Sequence, residues 1–186
     1  MQATQILMDE HRIIERVLTS LQAAAVRLER GEKVRSGFFV DGALFIKNFA
    51  DGWHHRKEEG VLFVAMIAAG MPAQGGPIGV MLAEHEQGRV FTRAMKEAAI
   101  KWEAGDLSAR TAVISNALGY VTLLRQHIQK EDNILFPMAD KVIPLEKQVN
   151  VLQDFEQVEH DETGEGVHEK YLALAEALEK ESRYLK

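Results

Sequence analysis

Two ten-residue stretches of the chain share one unusual pattern of charged and apolar residues: "HHRKEEGVLF" at residues 54–63 and "HIQKEDNILF" at residues 127–136. Both contain a His-x-x-x-Glu motif that is followed by a Leu-Phe pair. The motifs consist of His54 with Glu58 and of His127 with Glu131. Residues four apart are neighbours on one face of a helix, so each stretch places an imidazole beside a carboxylate. The pattern predicts two equivalent helical segments.

A single histidine precedes each motif at a nearly constant distance. His11 lies 43 residues before His54, and His85 lies 42 residues before His127. In both cases the leading histidine directly follows a glutamate. This spacing indicates an internal repeat, in which each half is a pair of helices that contributes one His and one His-x-x-x-Glu.

The rest of the chain has the periodicity of helices, with apolar residues recurring every three or four positions. The first predicted helix ends near Gly31, and the others cover residues 38–69, 78–102 and 107–139. A stretch rich in glycine and proline at 69–79 predicts a turn or loop. Four long helices with short connections favour an all-α fold, and specifically an antiparallel up-down-up-down four-helix bundle with an additional C-terminal helix.

The chain is predicted to divide into a bundle at residues 1–140 and a C-terminal helical extension at 141–186 that packs on it. The extension is helical in pattern but is interrupted by "TGEGV" at 163–167. It carries His160 and His168, and no His-x-x-x-Glu motif follows them. We therefore predict that this segment packs on the outside of the bundle and supplies no metal ligand.

The composition of the chain argues against nucleic-acid-binding, membrane-spanning and disulfide-containing proteins. The chain has 186 residues, a net charge of −6 and a pI near 5.7, which argues against nucleic acid or an anionic membrane as the partner. It has no cysteine, which excludes disulfides, thiolate ligands and iron–sulfur clusters and fits a reducing cytoplasm. The longest apolar run, at 61–71, is too short to span a bilayer. A cytoplasmic protein is the expectation.

The repeated histidines and glutamates lie on the same helix faces as the apolar residues, so we expect them to be buried. Buried carboxylates are costly without compensation. Lys57 and Lys130 lie about 100° around the helix from the glutamates and are expected to reach solvent. Two cations would instead compensate, and nitrogen and oxygen ligands suit iron, manganese or zinc. The predicted metal ligands are His11, His54, Glu58, His85, His127 and Glu131.

Several neighbouring residues have more than one interpretation. His55 and Glu59 also stand four apart, but the repeat pairs them with Ile128 and Asp132, so we predict a packing or supporting role for His55 and a rim position for Glu59. The glutamates that precede the leading histidines, Glu10 and Glu84, are either acceptors for the ligands' N–H groups or ordinary surface carboxylates. Tyr120 either lines the pocket or is a core tyrosine.

These residues resemble the hemerythrin-like family, the HHE cation-binding domain, over about residues 4–140. The family's order of His, His-x-x-x-Glu, His and His-x-x-x-Glu falls on the six predicted ligands. The resemblance implies a four-helix bundle that holds two iron ions as an oxo- or hydroxo-bridged centre, for which manganese or zinc could substitute. Oxygen-carrying hemerythrins have a further His-x-x-x-His, whereas Arg89 stands four residues after His85 here. The pattern is closer to the six-ligand branch of the family.

The resemblance to that branch implies a function. It implies a non-haem di-iron protein that binds O₂, NO or a related small ligand and acts in sensing or response to oxygen, nitrosative stress or iron. The alternatives are a di-iron enzyme for iron–sulfur cluster repair or for NO or peroxide reduction, and a zinc or manganese storage or structural protein. No catalytic triad stands outside the ligand set, which favours a binding protein over a classical enzyme. A second copy of the chain is a candidate partner for the C-terminal helix.

Overall fold

The computed structural model of the chain describes residues 2–162 and 167–184, and every regular element within those ranges is a helix. The predicted all-α class is confirmed. The α-helices are α1 (Ala3–Glu29), α2 (Ser36–Phe45), α3 (Phe63–Ala68), α4 (Pro77–Glu103), α5 (Ala109–Lys130), α6 (Phe136–Val142), α7 (Leu145–Glu162) and α8 (Val167–Tyr184).

Three segments of wider π-helical turn interrupt the two longest predicted helices. They are π1 (Ile46–His55), π2 (Glu58–Leu62) and π3 (Glu131–Leu135). The second and third begin at the two glutamates of the repeated motifs. Such π-helical turns are rare in proteins, and those that occur are often at functional sites. Their position at the repeated motifs therefore suggests that these residues do more than pack the core.

The turns between the helices lie close to their predicted positions. Helix α1 is followed by Gly31 (φ 78°) and α4 by Gly105 (φ 104°), both in the left-handed region that glycine enters without a steric penalty. The predicted loop at 69–79 separates α3 from α4. Of the predicted interruption at 163–167, residues 163–166 lie outside the described part of the chain. Helices α7 and α8 lie on either side of it, so the extension contains two helices instead of one.

The helices pack α1 against α5, α5 against α4, and α4 against α2, and they enclose two apolar clusters. The larger cluster includes Ile14, Leu18, Phe39, Phe45, Met95 and Leu124, and the smaller includes Leu7, Leu62, Phe63, Met81, Phe136 and Phe155. Along α1, His11 lies between a residue of each cluster, and His85 does so along α4. The fold therefore places a layer of histidines between two apolar regions.

The C-terminal helices share both clusters. Phe155 of α7 belongs to the smaller cluster and Leu178 of α8 to the larger one. Helix α8 packs on α1 and α2, and α7 contacts α1, π1 and π2. The division of the chain at residue 140 stays a prediction.

None of the helices in the described ranges combines the length and the hydropathy that a bilayer crossing needs.

Candidate metal centre

The structure brings the six predicted ligands together in the layer between the apolar clusters. Each of them is at most 1% exposed. They come from α1 (His11), π1 (His54), π2 (Glu58), α4 (His85), α5 (His127) and π3 (Glu131). The rings form two close pairs, with centroids 4.6 Å apart for His11 and His54 and 4.7 Å apart for His85 and His127.

Each glutamate reaches across both histidine pairs. The two oxygens of Glu58 lie 3.3 Å from Nε2 of His54 and 3.4 Å from Nε2 of His85. The two oxygens of Glu131 lie 3.1 Å from Nε2 of His127 and 3.2 Å from Nε2 of His11. One carboxylate oxygen of each glutamate thus faces each pair, which is the arrangement of two carboxylates that bridge two neighbouring cations.

The inward-facing atoms have few hydrogen-bond partners within the described part of the chain. Both oxygens of Glu58 and of Glu131 are buried without one, and so is Nε2 of His11 and of His54. The Nε2 atoms of His85 and His127 face each other at 2.9 Å. Buried polar atoms normally have partners, and unpartnered carboxylates are especially costly. Cations between these nitrogens and oxygens would satisfy all of them, so the donor set fits metal ions.

The outward-facing Nδ1 atom of every predicted ligand histidine meets a carboxylate. The pairs are His54 with Glu10 (2.9 Å), His127 with Glu84 (2.9 Å), His85 with Glu59 (2.7 Å) and His11 with Asp132 (2.6 Å). A carboxylate that accepts the Nδ1–H fixes the ring orientation and leaves Nε2 free to bind a metal. All four Nε2 atoms therefore face inward as potential metal donors.

The carboxylate shell was partly predictable. The role of Glu10 and Glu84 as acceptors for ligand N–H groups is confirmed, and their position just before the leading histidines was the signal. The contacts of Glu59 and Asp132 with histidines were not predicted. Both follow a motif glutamate directly, so the repeat contained a signal for them: an acidic residue at the same position in each half.

The prediction for Lys57 was wrong. This lysine is fully buried, and its Nζ donates to Glu10 and to Glu159 of α7 (2.9 Å). Its ammonium also lies 5.0 Å from the centre of the Trp53 ring. The reason is a long-range one, because α7 covers the position that would otherwise open to solvent. Lys130 is 36% exposed and donates to Glu84.

Comparison with known proteins agrees with this geometry, since the hemerythrin HHE cation-binding domain matches residues 2–139. The chain belongs to the hemerythrin family. The cation-binding description of that family and the two groups of buried histidines and glutamates support the same reading of the site. In each group the potential ligand atoms lie within 4.8 Å of one another. The groups are His11, His54, Glu58 and Glu131, and His55, Glu58, His85 and His127.

Curated proteins similar to this hemerythrin-family chain fall into two kinds. The uncharacterized protein Rv1995 of Mycobacterium tuberculosis is 25% identical over 178 residues, which is 96% of this chain and 69% of that protein. The iron-sulfur cluster repair protein YtfE of Yersinia pseudotuberculosis is 36% identical over 89 residues, which is 46% of this chain and 40% of that protein. No solved structure matches the chain significantly.

His55 is a fifth imidazole at the site of this hemerythrin-family protein. Its ring stacks on His85 with centroids 3.8 Å apart and an interplanar angle of 15°. The Nδ1 atom of His55 lies 3.5 Å from a carboxylate oxygen of Asp51 but, unlike Nδ1 of the four predicted ligand histidines, forms no hydrogen bond in the described chain. Its predicted packing or supporting role is consistent with this contact, although its position within the second group also places it within reach of a metal.

The two C-terminal histidines lie outside both groups. The ring of His168 stacks on Trp53 with centroids 5.0 Å apart, and His160 is exposed on α7. Tyr120 is buried in the larger apolar cluster and also lines a cavity beside His85, so both interpretations of this residue apply.

The buried carboxylates also change the protonation of the histidines. Burial alone would lower the pKa of His54, but the charge of Glu58 and the bond to Glu10 raise it to about 10. The pKa of His127 is likewise raised to about 9, against the effect of burial, chiefly by Glu131. Without metal, protonated imidazoles therefore compensate the carboxylates. A metal at Nε2 would take the place of those protons.

Proposed function

We propose that this hemerythrin-family protein is a non-haem di-iron protein that binds O₂, NO or a related small ligand and acts in sensing or response to oxygen, nitrosative stress or iron. The observation that carries the proposal is the position of Glu58 and Glu131, each with one oxygen toward each histidine pair. Two iron ions, when bound there, would supply open coordination positions for a diatomic ligand.

The proposed ligand assignment follows from the distances. His11 and His54 would hold one ion together with one oxygen from each glutamate, and His85 and His127 would hold the other ion with the remaining oxygens. This gives about four protein ligands for each ion out of roughly six octahedral positions. Positions therefore remain for a bridging oxygen and for an external ligand, as a binding protein requires and a closed structural site does not.

The surrounding residues would support such a centre in two ways. The four Nδ1–carboxylate pairs would hold the imidazoles in place and increase their basicity. The apolar clusters on both sides of the histidine layer would limit the access of water. We further propose that α1, α2 with its π-helical continuation, α4 and α5 form the antiparallel four-helix bundle that the repeat predicts.

Iron–sulfur cluster repair is the second candidate function. The similarity to the iron-sulfur cluster repair protein YtfE favours it, over 46% of this chain. In that function the same six residues would hold iron that is donated to a damaged cluster, instead of iron that signals the presence of a gas.

Metal analysis and spectroscopy test the proposal. Protein produced in iron-supplemented medium should contain about two iron ions per chain and show absorption bands of a bridged di-iron centre. After reduction, O₂ or NO should give a stable spectral change that reverses when the gas is removed. Repeated turnover would indicate an enzyme, and transfer of iron to a cluster-depleted protein would favour repair. Zinc as the dominant metal, or less than one ion per chain, would contradict the proposal.

A further inference from the structure

A cavity of about 300 Å³ adjoins the histidine layer on one side. It lies between α2 with π1, α4 and α5, and His55 and His85 form part of its wall. The space that one water takes in the liquid is roughly 30 Å³, and pockets for organic ligands begin near roughly 300 Å³. The cavity is therefore larger than a diatomic gas requires and suits a small organic molecule.

The wall of the cavity combines apolar surface with a buried hydroxyl that has no partner in the described chain. Ala43, Ile46 and Leu124 supply apolar contacts. The hydroxyl of Tyr120 is buried and lacks a hydrogen-bond partner in the described chain, whereas Nδ1 of His55 lies 3.5 Å from a carboxylate oxygen of Asp51. Buried polar atoms of this kind are rare in native proteins and call for an explanation, and a ligand in the cavity supplies one.

The charge around the cavity is positive, although the whole chain has a net charge of −6. Lys47, Arg93 and Lys96 line it, and none of them forms an ion pair with the residues that the structure describes. A local excess of unpaired cations on an acidic protein attracts anions and raises their local concentration.

The carboxylates that line the cavity are already paired. Asp51 accepts from Arg89 at 2.7 Å, and Glu84 accepts from Lys130 and His127. They therefore do not neutralise the three free cations at its wall.

We propose that this cavity binds a small organic carboxylate, which enters past Lys47, Arg93 and Lys96 and accepts a hydrogen bond from the Tyr120 hydroxyl. Burial raises the pKa of Tyr120, so its hydroxyl stays protonated and acts as a donor. The anion would then lie next to the stacked rings of His55 and His85. This anion site is separate from the site proposed for the diatomic ligand, and it needs no bound metal because side chains alone form it.

Fluorine NMR with trifluoroacetate as the probe tests this site. Line broadening should show saturable binding to the full chain, both metal-free and loaded with zinc, whereas the neutral trifluoroethanol should bind much more weakly. Metal content is measured on the same samples. A chain that binds no metal would defeat the proposed function, and the metal-free measurement would still decide whether the anion site exists.

Two variants locate the probe. Tyr120→Phe should weaken trifluoroacetate binding about 10-fold, the effect of a hydrogen bond to a charged group. The substitution breaks no hydrogen bond that the structure describes, so the fold should be retained. The triple variant K47Q/R93Q/K96Q should weaken binding about 5-fold at low salt and remove most of its salt dependence.

The triple variant K141Q/K147Q/K180Q is the matched control, because it removes the same charge from exposed positions away from the cavity. It should leave binding nearly unchanged. Equal losses in the two triple variants would show that only the overall charge matters. Unchanged affinity in Tyr120→Phe, or equal binding of trifluoroethanol, would also overturn the proposal.

Discussion

Lys57 and Lys130 occupy equivalent positions in the repeat, yet Lys57 is fully buried whereas the side chain of Lys130 is 36% exposed. Both donate to a carboxylate that holds a predicted ligand histidine, through Glu10 in one half and Glu84 in the other. The difference arises from α7, whose Glu159 binds Lys57 and whose Phe155 packs near it. The C-terminal extension thus breaks the two-fold symmetry of the repeat.

This contrast predicts that replacing lysine by methionine lowers the free energy of unfolding more at position 57 than at position 130. Lys57→Met breaks the buried ion pairs of this lysine with Glu10 and Glu159 and should lower the free energy of unfolding by about 3–5 kcal/mol. Lys130→Met removes a partly exposed pair and should cost about 1 kcal/mol or less. Urea unfolding of both variants checks this. Similar costs would mean that α7 does not bury Lys57.

The adjacent glutamates of the first motif should differ in their effect on metal content. Glu58→Ala removes two oxygens that face both histidine pairs, so it should lose one metal ion or both. Glu59→Ala removes the acceptor of His85 Nδ1–H and a partner of Arg89, but no oxygen that faces the histidine pairs, so it should keep the stoichiometry while affinity falls by about 10–100-fold. Elemental analysis and a competition titration with a chelator measure the two effects. An equal loss of metal from both variants would show that the register of the ligands is wrong.

The adjacent histidines offer a second matched pair. His54→Ala should lose at least one metal ion, because its Nε2 faces Glu58 and its Nδ1 is held by Glu10. His55→Ala should retain the full complement, because the repeat pairs it with Ile128 and its Nδ1 forms no hydrogen bond, lying 3.5 Å from a carboxylate oxygen of Asp51. Metal analysis of both variants separates them, and a clear loss in His55→Ala would make that residue a ligand.

The stability of the protein should depend on pH without metal and be nearly independent of pH with metal bound. In the metal-free protein the raised pKa values of His54, about 10, and His127, about 9, contribute stability that is fully present below pH 6.5. This contribution is lost as the pH rises from 6.5 towards about 10. In the metal-loaded protein the imidazoles carry no Nε2 proton, so that loss should disappear, and metal affinity should increase with pH because binding releases protons.

Thermal unfolding of chelator-treated and zinc-loaded protein across this pH range checks the prediction. The melting temperature of the metal-free protein should fall steadily, while that of the loaded protein should stay nearly constant. Parallel curves for the two samples would show that these histidines are not the metal ligands.

The cluster of buried histidines and glutamates could be predicted because the same motif occurs twice in the sequence. His54 with Glu58 and His127 with Glu131 occur on apolar helix faces, and the histidine upstream of each motif lies at a matched spacing. Packing alone rarely produces such a coincidence. The predicted convergence of these side chains follows from helical periodicity, which depends on near neighbours in the sequence.

Features that depend on distant contacts were not predictable in the same way. The burial of Lys57 requires α7, which begins 88 residues later in the chain. The π-helical turns at Glu58 and Glu131 have no distinctive composition, because the same residues also form ordinary α-helix. The role of Asp132 is hidden by a change of residue type, because Asp132 stands where the first half of the repeat has Glu59, and both accept a hydrogen bond from a histidine.

The unequal surroundings of the two histidine pairs have an electronic consequence. On the side of His54, helix α7 covers Lys57 and contributes Glu159 as its partner. On the side of His85, the cavity adjoins the ring. Solvent access and nearby dipoles set the reduction potential of a bound transition metal. Two redox-active ions held by the same kinds of ligand would therefore have different reduction potentials.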